Sequence, residues 1–202
     1  LEIVAGRLLA PGFGSSVYVW GSIIAVFLAA LALGYWIAGK TAAARASRAG
    51  LALALVGAAA YVAFVMVFGE TLVAMTEDLP IWRRFRPLVP VTLLFGPPTV
   101  LLGFVSPYGA ELIDARSTGD ASGQVYALGT GGSIVGAFAT TFVLIPVAGL
   151  DAIAFGYGLL LVVAALIVGP RTAVRPQVAS VLVAIALVLA FAMAGLAPLP
   201  GS

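Results

Sequence analysis

The feature that most constrains this chain is a succession of apolar stretches, each near the length of a bilayer crossing, separated by short polar connections. A helix needs about 20 predominantly apolar residues to cross the roughly 30 Å hydrocarbon core. Stretches of that kind run over 18–39, 50–68, 88–105, 124–147, 152–169 and 178–197. A further one, over 1–10, reaches only about 15 Å before Pro11. Charged residues are 9% of the chain, against roughly a quarter in soluble domains, too few to cover a water-facing surface. Lipid requires every backbone polar group to be satisfied within the segment, which selects helices. The chain therefore reads as a single all-α polytopic transmembrane bundle over 1–202, with about seven spans. The first is expected to be truncated at the amino terminus and to begin upstream of Leu1, where no initiator Met stands.

The connections set orientation and exclude several functions. Lys40, Arg45 and Arg48 occupy the linker 40–49, Arg116 lies in 106–123, and Arg171 and Arg175 lie in 170–177. The alternate connections hold only Arg83, Arg84 and Arg86. Lys and Arg favour the cytoplasmic side, so this distribution predicts a cytoplasmic amino terminus. The basic residues fall in short clusters between apolar runs, which argues against nucleic acid as a partner. The chain contains neither Cys nor His. That removes disulfides, zinc clusters, His-ligated haem and any Ser-His or Cys-His nucleophile, so no catalytic, metal or cofactor residue is assigned. Nine arginines against one lysine, with abundant Ala, Gly and Val, hint at a GC-rich genome and a prokaryotic plasma membrane.

Ionisable groups within spans cost about 2.5–3.5 kcal/mol on insertion scales, and each calls for a partner or a role. Glu2 and Arg7 lie in the first apolar run. Their spacing of five does not bring them face to face, because helical neighbours sit three or four apart. With Ser106 they form the candidate intramembrane polar site, one in which Glu2 receives a cationic amine. A structural ion pair to another helix is the alternative. Glu70 and Asp151, at the ends of two apolar runs, read as interfacial and solvated. Glu77 and Asp78 would attract cations, but Arg83, Arg84 and Arg86 share their loop and offset them.

Two motifs stand inside the spans. Pro97-Pro98 should kink the run 88–105 or break it into two half-helices. The segment QVYALGTGGSIVGAFATTFVLIPVAG over 124–149 sets Gly129, Gly132, Ser133 and Gly136 at spacings of three and four. They make a smooth face that admits another helix closely. A phosphate-binding loop is the competing reading. It fails because no Gly-Lys-Ser/Thr follows and the G-x-G-x-x-G spacing is not met.

The string YALGTGGSIVGAF, ending in LIP, resembles the membrane portion of the membrane-bound spermidine synthase-like proteins, a major-facilitator-like domain fused to a spermidine synthase. The resemblance extends to Glu2-Ile3, Arg7-Leu8, Pro11, Phe13-Gly14-Ser15-Ser16, Tyr18 and Trp20. It continues through Leu33-Gly34-Tyr35, Ala38-Gly39, Gly103 and Ser106-Pro107. One departure is Gly129-Thr130, where the family has Ser-Thr. The resemblance implies an aminopropyltransferase half that takes decarboxylated S-adenosylmethionine as substrate. These 202 residues hold no strand-and-glycine-loop unit and no aspartate cluster for a polyamine. The chain is accordingly expected to anchor or serve a synthase domain that lies beyond Ser202 or on a partner. Two further functions fit the composition: a small transporter or permease-like half for a cationic amine, and a scaffold subunit of a larger membrane complex.

Overall fold

The computed structural model describes residues 1–77, 80–113 and 118–170, and the regular structure of those residues is entirely helical. Among the described residues five stretches are long and apolar enough to cross a membrane: Val17–Ala42, Arg48–Glu77, Arg83–Leu112, Gly119–Val147 and Leu150–Val168. They correspond in order to the second to sixth expected spans. The expected span over 178–197 lies outside the described residues, as do Asp78, Asp114, Arg116, Arg171 and Arg175.

Helix α1 (Glu2–Phe13) is only about 18 Å long and does not stop at Pro11. Proline fixes a helix-compatible φ, so in the last turn it costs one hydrogen bond without forcing an end. The end comes at Gly14, which takes φ +71° while its N–H bonds the carbonyl of Ala10. Such a φ is unfavourable for a residue with a Cβ. Helix α2 (Val17–Arg45) then returns, and α3 (Arg48–Glu77) begins two residues later. Ser47 makes that tight reversal possible, because its Oγ accepts from the N–H of Gly50 at 3.0 Å and caps α3.

Helix α4 (Leu88–Leu102) crosses α2 with backbone against backbone. A Cβ on Gly34 would meet the carbonyl oxygen of Val100 and lie 2.9 Å from Cα of Gly103. One on Gly103 would lie 2.8 Å from Cα of Gly34. Above this crossing Val19, Ile23 and Phe27 of α2 pack with Val91, Leu94 and Phe95 of α4, joined by Ala5 and Leu9 of α1 and Val73 of α3. The rings of Phe27 and Phe95 stack with centroids 5.8 Å apart. Lipid tails are as apolar as these side chains, so close packing rather than expulsion from water holds the contact.

Pro97 and Pro98, expected to kink the span or break it into two half-helices, do not break it; the helix ends at Gly103, after which the short α5 (Val105–Leu112) continues the span. α4 runs unbroken through both prolines. Pro97 lacks the N–H that would bond the carbonyl of Leu93, four residues earlier. The hydroxyl of Tyr61, from α3, donates to that same carbonyl at 2.6 Å. One helix thus supplies the hydrogen the other lost, as the membrane interior requires. Nearby Thr99 is buried and its hydroxyl has no partner among the described residues.

Helix α8 (Leu150–Val168) packs along α3, with Leu161, Val162 and Ala165 against Ala52, Leu55, Val56, Ala59 and Val62. Between them in sequence, α6 (Thr118–Phe138) passes into a π-helical stretch, Ala139–Leu144, and a final turn α7 (Ile145–Val147). α6 is held chiefly by α5 at one end. From 122 to 147 no residue is fully buried.

Candidate functional site

Because α6 stands away from the rest, a cleft of about 1130 Å³ opens between it and the face formed by α1, α3, α4 and α8. Its walls are mostly aliphatic and aromatic: Val62, Val65, Met66, Leu94, Phe95, Tyr157 and Leu160 on one side. The other side is Gly129, Gly132, Ser133, Gly136 and Thr140. Among the described residues the cleft is lined by three carboxylates, Glu2, Glu70 and Asp151, and by no Lys or Arg.

The helix registers fix where those carboxylates stand. α3 and α8 run antiparallel, and a Cβ on Gly158 would lie 3.9 Å from Cγ1 of Val62. Seven residues further along each helix, about 10 Å toward the loop after α3, Asp151 comes level with Gly69-Glu70. α1 runs parallel to α3, with Cδ2 of Leu8 3.2 Å from a Cβ built on Gly69. Glu2, six residues earlier, therefore lies about 9 Å deeper than Glu70. Two carboxylates mark one level of the cleft and a third lies nearer the middle of the span. No ion pair among the described residues involves Glu70 or Asp151. Asp151 also occupies the first turn of α8, where the helix dipole favours an anion.

The residues singled out from sequence divide between this cleft and other places. Glu2 lines it, exposed on α1. Arg7 is exposed on the same helix but takes no part in the lining. Ser106 is half-buried in the first turn of α5, outside the cleft, although its neighbour Val105 reaches it. Glu2, Arg7 and Ser106 thus do not form one site. Gly129, Gly132, Ser133 and Gly136 are exposed, and a Cβ on any of the three glycines would have nothing within 4 Å among the described residues. Among the described residues this face lines the cleft, and close backbone approach occurs at Gly34 and Gly103. Pro98 lines the cleft and Pro97 is exposed.

Sequence reasoning left Glu70 and Asp151 at the membrane surface and so missed their convergence. A signal for Glu70 was present: Leu72, Val73 and Met75 continue the apolar pattern beyond it. α3 accordingly runs on to Glu77. Nothing local could place Asp151 opposite Glu70, since that depends on the register of two helices distant in sequence. Neither a family model, nor a curated protein, nor a solved structure matches the chain.

Proposed function

We propose that this chain is the membrane domain of a spermidine synthase-like protein, and that its cleft receives an organic cation of the polyamine class. The supporting observation is the cleft itself: an apolar concavity lined by Glu2, Glu70 and Asp151, with no lysine or arginine among its described walls. An aliphatic polyamine matches both properties, with methylene segments for the apolar walls and ammonium groups for carboxylates at two depths. Opposite charges about 4 Å apart attract by about 4 kcal/mol at an effective dielectric constant of 20, before desolvation is subtracted. Each carboxylate then accounts for roughly ten-fold in affinity once that cost is included. Catalysis is assigned to a synthase domain outside these residues, with decarboxylated S-adenosylmethionine as its substrate. The membrane domain anchors that half and offers the amine to it. On this reading the chain sits in a prokaryotic plasma membrane with its amino terminus cytoplasmic.

The test is equilibrium binding of radiolabelled spermidine to the chain in lipid nanodiscs. Glu70→Gln and Asp151→Asn should each weaken binding about ten-fold, while Glu111→Gln, remote from the cleft, should not. Binding that is absent, or equal in all four proteins, removes the amine reading. Co-purification of an aminopropyltransferase activity from native membranes tests the anchoring role separately.

A further inference from the structure

A second concavity, of about 570 Å³, lies where the turn between α1 and α2 meets the segment leading into α4. Its lining includes Arg83, Arg84, Arg86, Trp82, Tyr18 and Glu77. Arg86 is built into the structure: its Nη1 donates to the carbonyl of Glu77 at 2.7 Å and its Nε to that of Ile81 at 3.1 Å. That leaves its outer guanidinium edge free of backbone. Arg84 lies over two rings, its guanidinium carbon 4.6 Å from the ring centroid of Trp82 and 5.5 Å from that of Phe85. Arg83 makes no hydrogen bond or ion pair with a described residue. Among the described residues three guanidinium groups therefore share this concave space with one carboxylate, Glu77, one of them hydrogen-bonded in place and one lying over aromatic rings.

Guanidinium forks suit phosphate oxygens, with two parallel N–H donors each. The surroundings select which phosphate. Trp82 is 68% exposed and Tyr18 59%, both at the end of the spanning helices, where amphipathic rings mark the headgroup level. Ile81 and Phe85 add exposed apolar surface beside the arginines. A free phosphate would use the guanidinium groups and leave that surface unused. A phospholipid uses both, with its phosphate on the arginines and its acyl chains along the apolar rim. The geometry points to a binding site for the phosphate headgroup of an anionic membrane phospholipid, formed by Arg83, Arg84 and Arg86 against Trp82.

The experiment is native mass spectrometry of the delipidated chain in mild detergent, titrated with phosphatidylglycerol or phosphatidylcholine. Phosphatidylglycerol should bind more tightly. A doubly substituted Arg83→Gln/Arg84→Gln chain should lose about 30-fold, at about five-fold for each basic residue near an anionic surface. Lys40→Gln/Arg48→Gln, at the opposite ends of α2 and α3, should bind as the unaltered chain does. Equal affinity for the two lipids, or retention by the Arg83/Arg84 variant, overturns the site. Displacement of the lipid by millimolar inorganic phosphate assigns the pocket to a free anion and overturns the lipid reading. Should the variant melt early, added salt provides the second measurement: lipid binding by the unaltered chain must weaken with ionic strength, and salt-insensitive binding refutes the proposal.

Discussion

Replacing Gly34 by Ala tests the helix crossing that organises the amino-terminal half. The new Cβ would press on the carbonyl oxygen of Val100 and lie 2.9 Å from Cα of Gly103. Carbon atoms in favourable contact sit about 3.5–4.0 Å apart, so α2 and α4 must separate by roughly 0.6–1 Å. A gap of that size forfeits a quarter to a half of the attraction at each affected contact. The affected contacts include the stacked Phe27 and Phe95 and the layer of Val19, Ile23, Val91 and Leu94. Overpacking costs about 1–3 kcal/mol. The opposing atoms here are backbone, which cannot rotate away, so about 2 kcal/mol is a reasonable value.

Gly39→Ala is the matched control. It lies on the same helix, and a Cβ there would have nothing within 4 Å. Both variants gain the same helix propensity from losing a glycine, so their difference isolates the crossing. About 2 kcal/mol corresponds to roughly 4–8 °C for a chain of this size. Intrinsic fluorescence of Trp20, Trp36 and Trp82 during heating in detergent reads the transition. Gly34→Ala should melt lower than Gly39→Ala by that margin. If the two melt together, the crossing does not limit stability and the packing argument is wrong.

Two further outcomes follow from side-chain oxygens near α4. Tyr61→Phe should lower the melting temperature by about 2–4 °C, the equivalent of about 1 kcal/mol for one interhelical hydrogen bond. In a Pro97→Ala background, where an N–H is restored for Leu93, the same substitution should cost nothing measurable. Thr99→Val keeps the shape of a buried side chain while removing a hydroxyl without a described partner. It should leave the melting temperature unchanged or raise it, and a clear loss would mean that the hydroxyl has a partner in the membrane.

How much of this could be read from residues alone depended on whether the determinant was local. The spans were legible because each long apolar run carries its own reason to be a helix in lipid. Their ends were less so: α3 outlasts Glu70 because one carboxylate does not outweigh the apolar residues on either side. Pro97-Pro98 read as a kink or a break, because the donor that compensates Pro97 is Tyr61, 36 residues earlier on another helix. The small-residue face of α6 was recognised, but glycine spacing does not say whether a helix or a cavity lies opposite. The crossing at Gly34 and Gly103 has the same chemistry, and there a helix does lie opposite. Of the candidate site, Glu2 was anticipated and its relation to Glu70 and Asp151 was not. That relation rests on the registers of α1 and α8 along α3, which no local pattern encodes.

The bond from Tyr61 to Leu93 also bears on the order in which the two positions can change. A chain acquiring Pro97 before a hydroxyl stood at position 61 would expose an unbonded carbonyl to the membrane interior. A chain acquiring the tyrosine first would meet no such barrier, since a tyrosine without that acceptor still packs as an aromatic ring. Reversion is ordered too: the tyrosine becomes dispensable only after the proline has gone. The pair therefore acts as a ratchet, in which each later state protects the residue that made it accessible.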